Sequence, residues 1–403
     1  MIYSYNQYRN DESLHKIPDA KWKIEECDND TIQECIDKQL TVVEISFGDE
    51  FNEPIEAVSG LSSLEYVAFG KRFNKPIKCL PKCVQLKYIV FGKKFNKSIQ
   101  SIAQCTNLRQ ITFENDFNKS IRSTAKCTNL QQIYFGHEFN QPIEPLAYCT
   151  NLRQITFGWH FNQPIEVLAK CTNLQQIYFG NEFNQPIEAL ARCTNLQQIT
   201  VGIEFDKPIE ALANCINLQQ LTFGEMFNQP IEALANCTNL RRITFGWNFN
   251  QPIKALAKCT NLQQITFGNS FNQPIEALAN CINLQQITFG KYSPFNQAIE
   301  ALANCTNLQQ ITFGKYSQFN QAIEALANCV NLQQITFGTR FNQSIESLSL
   351  CMNLRQITFG GEFNRPVKAL AKCICLETIT FEKDSKFNQS TSDLINKVHI
   401  KYL

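Results

Sequence analysis

The chain has 403 residues, with 37 Lys and Arg against 36 Asp and Glu and a formal charge of +1, so no global field draws it to nucleic acid or to an anionic membrane. No apolar run approaches the ~20 residues of a membrane helix, and the start MIYSYNQYRN lacks the basic-then-apolar order of a secretory signal. An intracellular, cytoplasmic protein is therefore expected, and its 18 cysteines need an explanation other than a disulfide framework.

Residues 1–41 lie outside any period. They carry Tyr3, Tyr5, Tyr8 and Trp22, then DNDTIQECIDK, where Asp30 and Gln33 fit a capping box that opens a short helix. Such a segment either lids the first coil or docks a partner. From Val42 to about Ser390 one pattern fills the chain, a phenylalanine followed by asparagine every 22 residues, from Phe51 and Phe73 through Phe271, with Phe205-Asp206 standing in once. Two extra residues before Phe295, Phe319 and Phe387 stretch three of the later intervals to 24. A period of this length is the mark of a solenoid. Residues 391–403 leave the pattern and read as a short helix and a final strand that cap the last coil.

The copy from Leu262 to Cys281 shows what one coil does. Leu262–Phe267 alternates around β-branched and aromatic residues and stops at Gly268, which predicts a short strand and a turn. Phe271–Ile275 predicts a second extended piece, in which Pro274 cannot donate to a ladder. The run EALANC is too short for a free helix and supplies a single α or 3-10 turn. A lone coil buries too little to offset its ordering entropy, so stability has to come from stacked neighbours and capped ends. The predicted fold class is a leucine-rich-repeat-like solenoid with one short parallel strand per coil, a second extended piece and a helical turn.

The LxxIxF strand followed by FNxPI resembles the FNIP repeats, a variant of the leucine-rich repeat, over Val42 to about Ser390. Members often carry an Ile-Pro or Leu-Pro step after this core, whereas most copies here read ALANCTNL and only Leu80-Pro81 comes near. The resemblance implies a curved solenoid, a protein-interaction role, and a source among amoebae or the large DNA viruses that infect them. It also implies an F-box before the repeats in many members, and hence a ubiquitin-ligase substrate receptor; about forty residues barely leave room for one.

Fourteen cysteines, Cys83 to Cys373, recur at one repeat position that Leu61 fills in the first copy, so a buried thiol column is expected instead of a metal or redox array. Charge is uneven: residues 1–70 hold 15 acidic and 5 basic side chains, and residues 71–126 hold 13 basic and 2 acidic. Lys75, Lys97 and Lys119 share one repeat position and Arg122 lies close by, which stacking would gather into a patch for an acidic or phosphate-bearing partner, unless the acidic segment folds against it. The recurring Gln-Gln pairs, such as Gln263-Gln264, would face the concave side, either as amide ladders or as a broad contact surface. The Asn after each Phe is expected to bond turn backbone from coil to coil.

Variation gathers in the loop between Gly and Phe, where Trp159, His160 and Trp247 stand and where the longer loops carry Tyr292 and Tyr316. Aromatic residues on an exposed edge are the usual anchors of interfaces, so Trp159, Trp247, Tyr292 and Tyr316 are the candidate contact edge. His15, His137, His160 and His399 make no metal or nucleophile motif, and no enzyme activity, metal or cofactor is expected. The leading function is a protein-binding scaffold; the alternatives are a self-associating rod and the ligase receptor.

Overall fold

The computed structural model describes residues 2–5, 7, 20–394 and 398–402. Tyr8 and His15 fall outside them, as does part of the helix expected after Thr391. The chain divides into two compact units, Met1–Asn195 and Leu196–Leu403.

In the first unit the strand Lys21–Cys27 pairs in parallel with Ile2–Ser4 on one side and with Thr41–Phe47 on the other. Between them lies a helix, Asn29–Asp37, whose N-cap is Asp28: Thr31 N–H donates to Asp28 Oδ1 at 2.7 Å. The expected capping box at Asp30 and Gln33 is therefore not formed. Asp30 lies within the first turn of the helix, and Gln33 bonds Asp37 at 2.8 Å instead. Ile32 and Cys35 on this helix are buried. The repeat then proceeds with strands stepped by one period, Ile111 beside Ile133, Ile155 and Ile177. In the second unit the same column runs Ile199, Leu221, Ile243, Ile265 and Ile287, and continues to Ile379 and Ile400.

Each coil is spare. In the copy that begins at Leu262 the strand is only Gln264–Thr266 and the helical piece is a 3-10 turn, Glu276–Asn280. Its bonds span three residues, Leu278 N–H to Ile275 C=O and Cys281 N–H to Leu278 C=O, both 2.9 Å. The piece Phe271–Ile275 joins no backbone ladder, in keeping with Pro274. Side chains do that work: Asn162 N–H donates to Asn140 Oδ1 at 3.0 Å, and Gln163 Nε2 donates to the same oxygen at 2.9 Å. Asp206 serves equally well, accepting from Asn228 N–H at 3.0 Å. A second asparagine column, in the TNL segment, donates to the coil before it, as from Asn151 Nδ2 to Thr128 C=O at 2.9 Å. The Gln-Gln pairs supply one coil-to-coil link among the described residues, Gln132 to Gln154 at 3.3 Å, so the amide ladders run through asparagine and not through them.

Asn140→Ala removes the acceptor for both Asn162 N–H and Gln163 Nε2. A loss of about 1–3 kcal/mol is expected, whereas Asn140→Asp, which copies Asp206, should cost less; urea unfolding of the two variants checks this.

Two phenylalanine columns fill the interior. Phe267 and Phe271 stack within a coil at 3.9 Å, and Phe271 lies 6.1 Å from both Phe249 and Phe295. Tight approach at the turn explains the glycine that ends most strands: a Cβ on Gly246 would sit 1.9 Å from Gly224 O. Glu114 occupies that position where the strand runs further, to Phe113, and its N–H pairs with Phe91 C=O at 3.1 Å. The cysteine column is buried and free of disulfides. Its thiols donate to the leucine carbonyls of the preceding coil, Cys237 to Leu212 and Cys259 to Leu234, each at 3.4 Å.

Candidate interaction surface

The longer loops of the second unit build an aromatic edge. The added residues let Ser293 and Ser317 turn inward, where both are fully buried. Their hydroxyls accept from Phe295 N–H and Phe319 N–H at 3.2 Å, and Ser293 Oγ donates to Phe271 C=O at 3.3 Å. Anchoring the serine leaves the preceding tyrosine outside. Tyr292 and Tyr316 stack at 5.2 Å with their planes 15° apart, and Trp247 reaches Tyr292 at 6.1 Å. Asn269, in the coil between, accepts from Tyr292 N–H at 2.8 Å. All three rings remain close to half exposed.

Lysines lie over this edge. Lys291 Nζ is 5.2 Å from the Tyr292 ring and 5.6 Å from that of Tyr316, and Lys315 Nζ is 5.6 Å from Tyr316. Cation–π contact at these distances is a weak attraction at an exposed site. Lys315 also meets Glu382 at 3.1 Å, and that hydrogen bond raises its pKa above the ordinary lysine value. The result is a platform of three rings with two lysines over its tyrosines.

Trp159, in the first unit, is equally exposed but stacks on no other ring among the described residues. Beside it His160 stands between two carboxylates, with Nδ1 2.8 Å from Glu182 and Nε2 3.8 Å from Glu138. Of the four aromatic candidates the structure thus brings three together.

The acidic segment does fold against part of the basic one, pairing Arg72 with Glu50 and Lys87 with Glu65, each at 2.7 Å. Lys75, Lys97, Lys119 and Arg122 have no carboxylate within 4 Å among the described residues. Lys97, Lys119 and Arg122 are exposed and Lys75 is half-buried.

A third feature lies outside both candidate surfaces. In most copies a threonine follows the column cysteine, but Val330, Met352 and Ile374 replace it on successive coils and are exposed, Ile374 to 82%, with Leu350 beside them. The swap of Thr for an apolar residue in CTNL was its signal. Among the described residues no group of His, Cys, Asp and Glu could hold a metal ion, and no helix is long and apolar enough to cross a membrane.

Parallel one-strand coils, 3-10 returns and asparagine ladders define a leucine-rich-repeat solenoid. The BspA type leucine rich repeat region matches in six overlapping copies, at residues 55–142, 76–163, 120–209, 146–229, 208–298 and 276–392. The chain belongs to that family of repeats. The curated proteins give no match to the sequence. Among solved structures, the Leptospira interrogans LRR protein LIC12759 is similar with a TM-score of 0.77 and 12% identity, over 91% of this chain and 97% of that one. CroV588, described as a novel circular LRR protein, gives 0.62 and 23% over 100% and 68%. The plant peptide hormone receptor RGFR1, solved in complex with RGF2, gives 0.58 and 15% over 96% and 73%. At these identities the likeness is one of fold.

Proposed function

We propose that the chain is a protein-binding array whose principal contact edge is the Trp247, Tyr292 and Tyr316 platform. The observation that carries this reading is the pairing of buried serines with stacked, lysine-braced tyrosines in two successive long loops. Those two insertions lengthen the 22-residue step and place aromatic rings at the surface. Rigid, two-torsion aromatic side chains lose little entropy on binding and dominate interface energetics. RGFR1, built on the same fold, is seen with a bound partner, which supports a binding role for such a surface.

In this reading residues 1–41 and 391–403 cap the array, and the FNxPI core marks an FNIP-type subdivision of the leucine-rich repeats, with the amoebal or viral origin that goes with it. The F-box and ligase alternatives gain no support from the helix Asn29–Asp37.

The test is a double variant, Tyr292→Ala with Tyr316→Ala. Each aromatic anchor is worth about 2 kcal/mol, roughly thirtyfold in Kd. A partner captured from native cells by the parent protein should be lost from the variant, while the unfolding midpoint stays put because both rings are surface groups. Retention of the same stoichiometric partner by the variant would move the contact edge elsewhere.

A further inference from the structure

A second site lies where the first unit departs from the repeat. The regular coils follow the pattern FNQPIEALAN, seen in full from Phe227 and Phe271, but two in succession read FNKSIQSIAQ and FNKSIRSTAK, from Phe95 and Phe117. Proline is replaced by Ser98 and Ser120, the following glutamate by Gln100 and Arg122, and in the second coil the core leucine by Thr124, which is fully buried. These changes surround one cleft of about 790 Å³, walled by Ser98, Gln100, Ser120, Arg122, Ser123 and, on its far side, Glu144. An adjoining cleft of about 720 Å³ shares Ser98 and Gln100 and adds Lys78 and Lys97. The corresponding space between coils of the second unit has Pro252, Pro274 and Ala277 where these serines stand, with Ala257, Lys254, Gln273 and Glu276 also lining it.

Ser123 separates this cleft from a chance run of polar residues. It is only 8% exposed, and its Oγ has no hydrogen-bond partner among the described residues. Serines at the same repeat position elsewhere do have one: Ser101 Oγ donates to Ile77 C=O at 3.1 Å and Ser347 Oγ to Ile323 C=O at 3.0 Å. A buried hydroxyl without a partner is costly, and this one lines a cleft with Arg122, whose guanidinium meets no carboxylate among the described residues.

We propose that this cleft binds a phosphate monoester on an extended peptide, a phosphoserine or phosphothreonine segment of a protein partner. Three hydroxyls and a guanidinium fork offer more donors than a carboxylate can use, and they suit the oxygens of a phosphate dianion. Lys97 and Lys119 at the neighbouring repeat position add charge, in a region with 13 basic and 2 acidic residues. Continuity with the adjoining cleft, along successive coils, favours a chain over a small anion. Glu144 accepts peptide N–H groups at the far wall. The site is separate from the aromatic edge and does not depend on it.

The experiment titrates the full chain against a fluorescent, degenerate pool of phosphoserine peptides, its unphosphorylated counterpart, and inorganic phosphate alone. Arg122→Glu with Ser123→Ala restores residue types found in the regular coils, as at Glu188 and Ala189, so folding is preserved and the unfolding midpoint should not fall. The phosphopeptide pool is expected to bind at least tenfold tighter than the plain pool, and the double variant to abolish that preference. Tyr292→Ala with Tyr316→Ala should leave it intact, which keeps failure here distinct from failure of the aromatic edge. Equal binding of the two pools, no binding of either, or selectivity untouched by the double variant would overturn the proposal. Inorganic phosphate binding as tightly as the peptides would overturn the peptide assignment.

Discussion

Phe271→Ala is expected to remove about 3–5 kcal/mol, the usual cost of truncating a fully buried phenylalanine. Phe271 is 0% exposed and touches three other rings, Phe267 at 3.9 Å and Phe249 and Phe295 at 6.1 Å. Its neighbours stack on both sides through the same atoms, so they cannot close the gap without giving up contacts of their own. In a repeat array stability is a sum of coil and interface terms, and this substitution weakens one coil and two interfaces together. Urea unfolding should show the loss, and amide exchange should locate it in the coils from Phe249 to Phe295. Glu276→Ala, on the exposed turn of the same coil, should stay within about 0.5 kcal/mol. A Phe271→Ala midpoint equal to that of Glu276→Ala would mean that the columns do not carry the stack.

The second large effect is alkaline. Burial pushes the column thiols up from 9.0, to about 12 for Cys237, Cys281, Cys329 and Cys351 and to about 11 for Cys259, Cys305 and Cys373. Below pH 9 both folded and unfolded chains keep these protons, and the column contributes its full stability. Between pH 9 and 11–12 the unfolded chain has released protons that the folded chain still holds, so stability falls as pH rises. Each thiol contributes a slope of about 1.4 kcal/mol per pH unit in that window. Several acting together exceed the 5–15 kcal/mol of an ordinary domain within about two units. The expected result is cooperative unfolding that begins just above pH 9, seen by circular dichroism, with the limb made shallower by Cys259→Ala or Cys281→Ala. In the native protein at pH 8 a thiol reagent should reach at most Cys79 and Cys375, the half-buried pair. Broad labelling of the column at pH 8, or stability flat to pH 11, would contradict this.

Much of the fold was legible because the repeat states it many times. The strand, the single helical turn and the thiol column each follow from residue size and spacing in Leu262–Cys281, and the 22-residue step fixes the register. Other features depended on three-dimensional detail that spacing does not contain. Asp28 and Asp30 both look like helix caps, and only the direction of the chain after Cys27 selects Asp28. Gln-Gln looks like an amide ladder, but these side chains sit on a strand face whose backbone already pairs, whereas the prolines leave the Phe-Asn segment in need of side-chain links. Trp247, Tyr292 and Tyr316 were readable as exposed aromatics; their mutual stacking depends on Ser293 and Ser317 folding inward. The cleft at Ser123 is marked in the sequence by the loss of proline and leucine from two adjacent copies, a change that spacing alone does not separate from drift between repeats.

The central claim, that the aromatic platform is where a partner sits, is tested most directly by a photo-cross-linking side chain at Ser270, between the coils of Trp247 and Tyr292, with a second placed at Asn280 on the exposed turn as control. In native cells the Ser270 probe should yield one discrete protein adduct that disappears when Tyr292 and Tyr316 are both alanine, and the Asn280 probe should not yield it. The same adducts from both positions, or an adduct at Ser270 that survives loss of the two tyrosines, would contradict the assignment.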